Sequence, residues 1–562
     1  MSSRGSVKQE MGVARVKQGK KKVAAAKKKP AKKAAAAKKK PAKKAAAAKK
    51  KVAAKKPAAK KPAAKKKAAA KKPAAKKPAA KKKPAAKMPV ALPSIVYRDD
   101  IDHALTLPSA SNELLADLEA SARHALDHLR TLGVEHAEVA VSQGERLEVS
   151  VRQGEVELIK EAKSRGLSLR IVHDERVATS STNDLARPSI ERFLAIVVEM
   201  AELAEQDPLA VPPEPHELAG HFPDLDLWDG EVARLDADRA LALALEGEKA
   251  AFGFSDKITS SEGAAFSRSE SHSVLATSGG FVGRSASTYA SLVVQVIADD
   301  EGGKKRNGYH WTGGRKLDQL LTPEAVGREA AHRAVRTRGS VKIDTGVYPV
   351  VFEREAAGAI LGLLVSCILG DSVYREQSYL GARLGTQVAS ELITILDDPL
   401  LVRGPGSRRF DGEGRAVRAN TVVAAGRLER FLLDTYGARK LKLEPTGSAG
   451  GGGGVPHATT SNFFMLPGAS KPEQLLEGIE RGLFVTSMMG FGFDPVTGSF
   501  SRGASGFLIE QGKLSIPVSE ITISRNLDEL LLGIDAVADD LEHRSSIAAP
   551  SFRVDRMTIS GR

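Results

Sequence analysis

The C-terminal third of the chain contains the stretch Asp494-Pro-Val-Thr-Gly-Ser-Phe-Ser-Arg-Gly-Ala-Ser-Gly-Phe-Leu-Ile-Glu510. Its apolar end, Phe507–Glu510, predicts a strand, and two further strands are predicted at Leu514–Pro517 and Glu520–Ile523. A helix is predicted near Leu527–Leu541. Helices and strands also alternate upstream of this stretch without long βαβ repetition, so the pattern favours an α+β fold.

Hydrophobic periodicity predicts most of the upstream elements. Apolar residues at helical spacing predict a helix at about Ser111–Leu132, with Gly133 as its C-terminal cap. Further helices are predicted at about Ser189–Glu205 and Asp236–Phe252, and the proline-rich segment Asp207–Pro215 is a linker. The upstream strands predicted from apolar patterning are Ala137–Ser142, Arg146–Arg152, Leu167–His173, Ser273–Thr277, Ser287–Ala298, Val347–Phe352 and Leu392–Leu396.

The net charge of +17 conceals two oppositely charged parts of the chain. Residues 1–90 contain 35 Lys or Arg and one acidic residue, Glu10, which gives this segment a charge of +34. The whole chain has 85 basic and 68 acidic residues, so the remainder carries a charge of −17. A basic arm attached to an acidic body suggests that the arm binds nucleic acid.

The basic arm repeats short units such as Lys-Lys-Pro-Ala-Ala between Lys55 and Lys87. It has no aromatic residue and little to bury, and its prolines interrupt helices, so we predict that residues 1–90 are disordered. Lysine contacts phosphates and not base edges, which predicts DNA or RNA binding without sequence preference; a solubilising extension is the alternative. The composition resembles linker-histone tails and the basic arms of bacterial histone-like proteins. The residues assigned to nucleic-acid binding are Lys27, Lys28, Lys29, Lys38, Lys39, Lys40, Lys65, Lys66, Lys67, Lys81, Lys82 and Lys83.

The chain has one cysteine, Cys367, which excludes a disulfide framework and a cysteine-rich zinc site. Its longest apolar run, Ala359–Leu369, is shorter than the roughly 20 residues that cross a bilayer. The N-terminus shows no apolar segment typical of a secretory signal. We therefore expect a cytoplasmic protein with access to DNA and without a membrane partner.

The segment His216-Glu-Leu-Ala-Gly-His221 has metal-like spacing, since two imidazoles and the carboxylate of Glu217 can bind zinc and activate water. Such motifs function on a helix, whereas several prolines between Pro212 and Pro223 prevent a regular helix here. We interpret the motif as coincidence.

Three other groups of residues are interpreted as structural. His124 and His128 share a helix face but have no third ligand, and the glycine-rich stretch Ser448–Gly454 lacks the Lys-Ser/Thr of a phosphate-binding loop. We expect that stretch to be a flexible loop near a binding cleft, with His457 just after it. Asp397 and Asp398 precede a proline, as in a turn. The residues alone therefore indicate no catalytic centre, bound metal or cofactor.

Several long segments resemble the TldD/PmbA family, also called modulators of DNA gyrase. Beside Asp494–Glu510, the resemblance rests on Arg481-Gly-Leu-Phe-Val-Thr-Ser-Met-Met-Gly-Phe-Gly492, Pro517-Val-Ser-Glu-Ile-Thr-Ile523, Leu380-Gly-Ala-Arg-Leu-Gly385, Val388–Pro399 and Ser142–Thr179, which includes Ser164-Arg-Gly-Leu-Ser-Leu-Arg170. It covers about residues 112–562 and excludes the basic arm. It implies a multi-domain body with an N-terminal α+β domain at 112–206, a central domain at 235–340 and a C-terminal domain at 345–562.

The resemblance also implies a function. In this family a TldD-type subunit carries a His-Glu-x-x-x-His helix whose zinc cleaves peptides, and a PmbA-type (TldE) partner without that motif completes a heterodimeric protease for extended or unfolded peptides. Counted back from Gly370-Asp371, the motif falls on Leu361, Gly362 and Ser366, and the cysteine of the active type is missing between Leu541 and Pro550. Both differences indicate a non-catalytic PmbA-type subunit with a TldD-type partner. The alternatives are a nucleoid-associated DNA-binding protein that uses the body as a scaffold, and a peptidase with a relocated site at His216, Glu217 and His221.

Overall fold

The computed structural model describes Tyr97 and residues 105–562. The basic arm at 1–90, with its assigned lysines, therefore lies outside the described residues. No helix in the described part of the chain is long and apolar enough to cross a membrane. The α-helices described are α1 Ser109–Thr131, α2 Arg187–Glu202, α3 Gly230–Arg234, α4 Ala237–Phe252, α5 Pro323–Arg336, α6 Arg354–Ile368, α7 Gly370–Tyr374, α8 Thr435–Leu441 and α9 Leu527–Leu532.

The described strands follow in chain order. They are β1 His136–Arg152, β2 Glu155–His173, β3 Arg176–Thr182, β4 Ile258–Thr277, β5 Val282–Asp299, β6 Lys305–Gly314, β7 Gly346–Phe352, β8 Ile395–Asp397, β9 Asn420–Ala424, β10 Arg427–Leu428, β11 Ala449–Gly450, β12 His457–Ala458, β13 Phe463–Met465, β14 Arg481–Met489, β15 Phe493–Asp494, β16 Ser499–Glu510, β17 Lys513–Asn526, β18 Ile534–Val537, β19 Ile547–Ala548 and β20 Phe552–Ser560.

One antiparallel sheet runs through most of residues 136–314, with strand order β3-β2-β1-β4-β5-β6. Helices α1 and α2 cover one part of it over an apolar cluster that includes Leu126 and Val139. Helices α4 and α5 cover another part over a second cluster that includes Val149 and Ala330. Strand β6 forms one edge of this sheet, and that edge borders the cleft described below.

The C-terminal part contains a closed ring of strands. Strand β14 pairs with β7 and with β16, and β17 and β20 complete the ring. A separate five-stranded sheet has the order β10-β9-β8-β13-β19. Helix α6 contacts strands of both, and its residues Ile360, Leu364 and Cys367 belong to the core cluster that the two sheets share. An almost continuously apolar helix suits a position buried between two layers.

The first predicted helix and its cap are confirmed within two residues. Gly133 has a φ of +80°, and its N–H donates to the carbonyl of Arg130 while the N–H of Val134 donates to that of Leu129. This is the Schellman arrangement, in which a glycine adopts the left-handed conformation after the last helical turn.

The helix predicted at Leu527–Leu541 is wrong beyond its first six residues. Helix α9 ends at Leu532, where the N–H of Gly533 donates to the carbonyls of Glu529 and Leu530, and Ile534–Val537 then forms β18 against β20. Several predicted strands are also longer than expected. The two strands at Ala137–Ser142 and Arg146–Arg152 are one strand, β1, because β2 and β4 pair with it along both sides.

Candidate functional site

Two adjoining cavities of about 370 and 460 Å³ share Tyr309 and Glu355, and together we call them the α6 cleft. Three structural elements line the first cavity: the edge strand β6, the first turns of α6 and the segment 542–549. The second cavity extends between β6, the end of α5 and the ring strands β14, β16 and β17. The cleft therefore lies where the six-stranded sheet meets the C-terminal ring.

Strand β6 supplies two aromatic side chains to the cleft, Tyr309 and Trp311. Tyr309 is 46% exposed, whereas His310 between them points to the opposite side and is 3% exposed. Alternation along the strand thus separates a cleft-facing aromatic pair from a buried imidazole. Gly308 lets β6 approach α5 closely, because a Cβ there would lie 2.3 Å from the carbonyl oxygen of Ala330.

A bidentate ion pair supports the base of the cleft. Arg333 of α5 donates to both carboxylate oxygens of Glu355 of α6, at 2.6 and 3.0 Å. Burial opposes ionisation of Glu355, but the hydrogen bonds and charge of Arg333 outweigh that effect and lower the pKa of Glu355. This pair fixes the start of α6 relative to α5 with the geometry that favours arginine over lysine.

The segment 542–549 adds a second pair of charges. Arg544 Nε lies 2.6 Å from a carboxylate oxygen of Glu542, and Arg354 of α6 contacts the other oxygen at 2.8 Å. Arg544 also donates to Nε2 of His310 at 3.2 Å. Burial, with Arg333 and Arg544 nearby, lowers the pKa of His310 to about 4. The imidazole is therefore neutral near pH 7, with its acceptor nitrogen towards Arg544.

The structure brings together the two segments in which the sequence resemblance predicts a zinc motif and a cysteine. A Cβ built on Gly362 would lie 3.9 Å from Cδ1 of Ile547, and one built on Gly358 would lie 3.7 Å from the carbonyl oxygen of Ile547. Helix α6 and the segment 542–549 thus face each other across the first cavity.

The residues present there do not fit a zinc ion. Leu361 is 1% exposed within the C-terminal core, Gly362 has no side chain, and the hydroxyl of Ser366 donates to the carbonyl of Leu363 at 2.8 Å. The only cysteine, Cys367, is buried, and burial raises the pKa of its thiol to about 11. Within residues 105–562 no three His, Cys, Asp or Glu side chains are grouped so that they could hold a metal ion.

The His216 motif forms no such group either. Pro215–Glu217 is a single 3-10 turn, and His216 and His221 are exposed. Glu217 accepts from Arg415 at 2.8 Å and from the backbone N–H of Glu214 at 2.7 Å. Through the contact with Arg415, the Glu217 carboxylate therefore holds the loop that contains His216 against the C-terminal part of the chain.

The remaining sequence candidates have structural partners. His124 lies 3.2 Å from a carboxylate oxygen of Glu191 on α2, and its ring is 6.4 Å from that of His128. Asp398 accepts from the N–H of Leu400 at 2.8 Å, as the turn interpretation expects. Asp397 is buried, which raises its pKa, and it accepts from the N–H of Ser461.

The glycine-rich stretch Ser448–Gly454, expected to be a loop near a binding cleft, does not line the α6 cleft. A Cβ on Gly453 would lie 2.5 Å from the carbonyl oxygen of Ser168 and 2.9 Å from the N–H nitrogen of Ala140. The stretch therefore packs against the six-stranded sheet, and the lack of side chains allows this close approach. The exposed His457 follows it, and the Nδ1–H of its ring donates to the carbonyl of Val455 at 3.1 Å.

No sequence motif pointed to the cleft residues Tyr309, Trp311, Arg333, Glu355 and Arg544, or to His310 behind β6. The alternation around Tyr309-His-Trp311 was the one local signal, since it is typical of a strand with two different faces. The polar contacts left no local signal, because Arg333 and Glu355 lie 22 residues apart and Arg544 and His310 lie 234 residues apart.

Comparisons with known proteins agree with this architecture. Three models of the PmbA/TldA metallopeptidase match the chain: domain 1 at residues 137–201, the central domain at 230–338 and the C-terminal domain at 345–561. A metalloprotease PmbA of Escherichia coli O157:H7 is 36% identical over 425 residues, which is 76% of this chain and 92% of that protein. A PmbA homolog of Haemophilus influenzae is 34% identical over 455 residues, 80% of this chain and 98% of its own.

A solved structure shares the fold. It is a protein of Bacteroides thetaiotaomicron named a modulator of DNA gyrase, which superposes with a TM-score of 0.74 at 28% identity and covers 81% of this chain and 100% of its own. Matches of this length and identity extend from the first sheet to the last strand. The chain thus belongs to the PmbA/TldD family of metallopeptidases.

Proposed function

We propose that this chain is the non-catalytic PmbA/TldE-type subunit of a heterodimeric zinc metalloprotease that acts on extended or unfolded peptides. The observation that carries the proposal is the composition of helix α6 and of the segment that faces it. The family resemblance implies that the metal motif falls on Leu361, Gly362 and Ser366 of α6, and the facing segment 542–549 has no cysteine. Without ligands in one place, this chain has no means of activating water with zinc.

The cleft itself supports a role in holding peptide. The cleft is bordered by the edge strand β6, and Tyr309 and Trp311 of that strand face it. An extended peptide can add to a sheet edge through backbone hydrogen bonds, which suits substrates of varied sequence. The arginine–glutamate pairs at its base keep the walls in place without a metal.

An exposed apolar tip beside the cleft supports docking of the TldD-type partner. Phe491 is 99% exposed and Met489, which lines the second cavity, is 61% exposed. We expect a partly apolar interface of more than about 1,600 Å² in total. Replacing Phe491→Ser is expected to weaken the complex, whereas Val402→Ser, which also removes an apolar side chain at a residue 64% exposed elsewhere, is expected to leave it intact.

Co-expression with a TldD-type protein of the same genome tests the proposal. Affinity purification is expected to recover a stable complex that digests an unfolded peptide, and each chain alone is expected to do so poorly or not at all. The proposal fails if this chain cleaves peptides without a partner. If that activity disappears in Glu217→Gln, the relocated site at His216, Glu217 and His221 is the correct alternative.

The basic arm forms a second part of the proposal. Its charge of +34 on a body of −17 favours binding to DNA, and hence a cytoplasmic protein associated with the nucleoid. A nucleoid-associated protein that uses the body only as a scaffold is the alternative. Protease assays on the complex after deletion of the arm separate the two, because the scaffold hypothesis predicts no protease activity with any partner.

A further inference from the structure

The hairpin of β1 and β2 leaves a long sheet edge without a partner strand in the described part of the chain. Strand β3 pairs with β2 only from Leu167 to His173, whereas β1 pairs with β2 along nearly its whole length. The outer edge of β2 from Glu155 to Gly166 is therefore free, and every residue from 155 to 165 is exposed. An exposed edge of this length readily pairs with another strand.

Apolar side chains lie on this free edge. Val156 and Ile159 are each 50% exposed and Leu158 is 40% exposed. A bulge near Glu157 interrupts the pairing with β1, but the ladder is regular from Leu158 to Gly166, a stretch of nine residues. At about 3.4 Å per residue this stretch is about 30 Å long, which is longer than a typical strand.

The charged side chains between Leu158 and Gly166 decide in which register this edge can pair with a second copy of itself. It carries Lys160, Glu161, Lys163 and Arg165, and Lys163 already contacts Glu145 of β1 at 2.6 Å. Two copies of this edge can pair antiparallel around a two-fold axis perpendicular to the sheet. Residues directly opposite each other in such a pair have their side chains on the same face of the sheet. The axis therefore has to pass beside one residue and cannot pass between two consecutive residues. An axis beside residue 160, 161 or 163 places Lys160, Glu161 or Lys163 directly opposite its own copy.

An axis beside Ala162 avoids every like-charge pair. Glu161 then stands opposite Lys163 of the second copy, twice by symmetry, and Ala162 stands opposite itself. Lys160 stands opposite Ser164, Ile159 opposite Arg165 and Leu158 opposite Gly166. Across the strands, Glu145 of β1, Lys163 of β2 and Glu161 of the second copy's β2 then lie side by side on one face of the sheet, and their charges alternate. Opposite charges directly across strands stabilise a pair, and like charges destabilise it.

We propose that this edge of β2 joins two copies of the chain into a continuous twelve-stranded sheet, with Ala162 on the two-fold axis. None of the residues in this contact lines the α6 cleft. Strand pairing alone buries less area than a standard interface of about 1,600 Å², so we expect a reversible equilibrium between monomer and dimer.

Charge reversal on the full-length chain tests the register. In Glu161→Lys, the introduced lysine stands opposite Lys163 of the second copy, so two like-charge pairs replace two opposite-charge pairs. Self-association is expected to weaken by about ten-fold or more. Lys163→Glu is expected to act in the same way. Sedimentation equilibrium over a wide range of protein concentration measures both. Glu155→Lys, the same charge change outside the regular stretch, is the matched control and is expected to leave the dissociation constant within about two-fold of the unaltered chain.

Mixing the Glu161→Lys chain with the Lys163→Glu chain gives the decisive result. The introduced lysine of one chain then faces the introduced glutamate of the other, and the unaltered Lys163 and Glu161 face each other as before. The mixture is therefore expected to form a heterodimer although neither chain self-associates well. The double variant Glu161→Lys/Lys163→Glu is expected to self-associate again. A chain that is monomeric at every concentration overturns the proposal. So does self-association that the reversals leave unchanged, or a mixture that associates no better than its components.

Discussion

Arg544 donates a hydrogen bond to Nε2 of His310, with 3.2 Å between the two nitrogens. The contact joins the segment 542–549 to the edge strand β6 and holds one wall of the α6 cleft against the other. Arginine remains protonated at all accessible pH values, so the histidine has to be the acceptor. Arg544, which lines the cleft, is thus paired with the neutral imidazole of His310, which is buried on the other face of β6, and protonation of the imidazole would break this pairing.

We predict that protonation of His310 lowers the free energy of unfolding as the pH falls. Its pKa is lowered to about 4 by burial and by Arg333 and Arg544, from about 6.5 when unfolded. The unfolded chain therefore binds more protons between these values, so the contribution to stability is complete above about pH 6.5 and is lost towards pH 4. Denaturant unfolding across this range is expected to show a smaller pH slope for His310→Gln, which keeps an acceptor for Arg544. The exposed His216→Gln is the control, and an equal slope in both variants would contradict the assignment.

A buried carboxyl predicts the opposite behaviour at high pH. Burial, together with Asp411 and Glu138, raises the pKa of Glu413 to about 8 from 4.5. The folded chain therefore retains a proton that the unfolded chain releases, and stability is expected to decrease as the pH rises from about 4.5 through about 8.

Glu413→Gln tests this effect, because an amide oxygen can still accept from the N–H and hydroxyl of Thr435. Thermal unfolding at alkaline pH is expected to show the variant more stable than the unaltered chain, with little difference at mildly acidic pH. The exposed Glu444→Gln is expected to show no such gain. A Glu413→Gln variant that is less stable at alkaline pH would show that the carboxylate is ionised in the fold.

A larger side chain in the α6 cleft is predicted to reduce peptide digestion by the complex without destabilising this chain. A Cβ at Gly362 meets nothing nearer than Ile547 Cδ1 at 3.9 Å, and leucine favours helix over glycine by about 0.8 kcal/mol. Gly362→Leu is therefore expected to retain or raise the melting temperature. Peptide digestion by the complex with a TldD-type partner is expected to fall, because the side chain occupies the space beside Tyr309 and Trp311.

Gly308→Ala provides the contrast for that experiment. Its Cβ would lie 2.3 Å from backbone atoms of Ala330 and Ala334, so overpacking is expected to cost about 1–3 kcal/mol of stability. Full digestion by a complex that contains Gly362→Leu would mean that peptide does not use this cleft.

The purified chain is predicted to hold no stoichiometric zinc. Leu361, Gly362 and Ser366 offer no ligand set, and a zinc site needs three or four N, S or O ligands together. Elemental analysis of the chain purified without chelators measures the content directly. One tightly held zinc per chain that is lost in His216→Ala would refute the prediction and favour the relocated site.

The basic arm is predicted to bind duplex DNA without sequence preference. If roughly 6–10 lysines contact phosphates together, affinity is expected to fall by about 10³–10⁵ between 50 and 200 mM salt. Deletion of residues 1–87 is expected to abolish binding and to leave the melting temperature of the body unchanged. Equal binding by the acidic body alone would contradict this account of the arm.

Sequence patterns predicted correctly those helices and strands whose ends are set by residues nearby in the sequence. The helix α1 and its Gly133 cap follow from spacing and from one left-handed position. The end of α9 did not follow, because apolar residues after Gly533 also suit a helix; their pairing with β20 makes them a strand instead. Strand β1 likewise continues through Gln143-Gly-Glu145 because strands on both sides supply hydrogen bonds there. Such pairings are non-local, so a window of sequence does not contain them.

The sequence by itself determined the family, the charge division between arm and body, and the absence of a metal-binding side chain at Leu361, Gly362 and Ser366, since each depends only on which residues occupy which positions. The tertiary structure decided where those positions meet. It placed Gly362 against Ile547, brought Arg544 to His310, and left the outer edge of β2 without a partner among the described strands. These relationships arise from the packing of α6 between two sheets and from the closure of distant strands into a ring, and both are set by contacts between residues far apart in the chain.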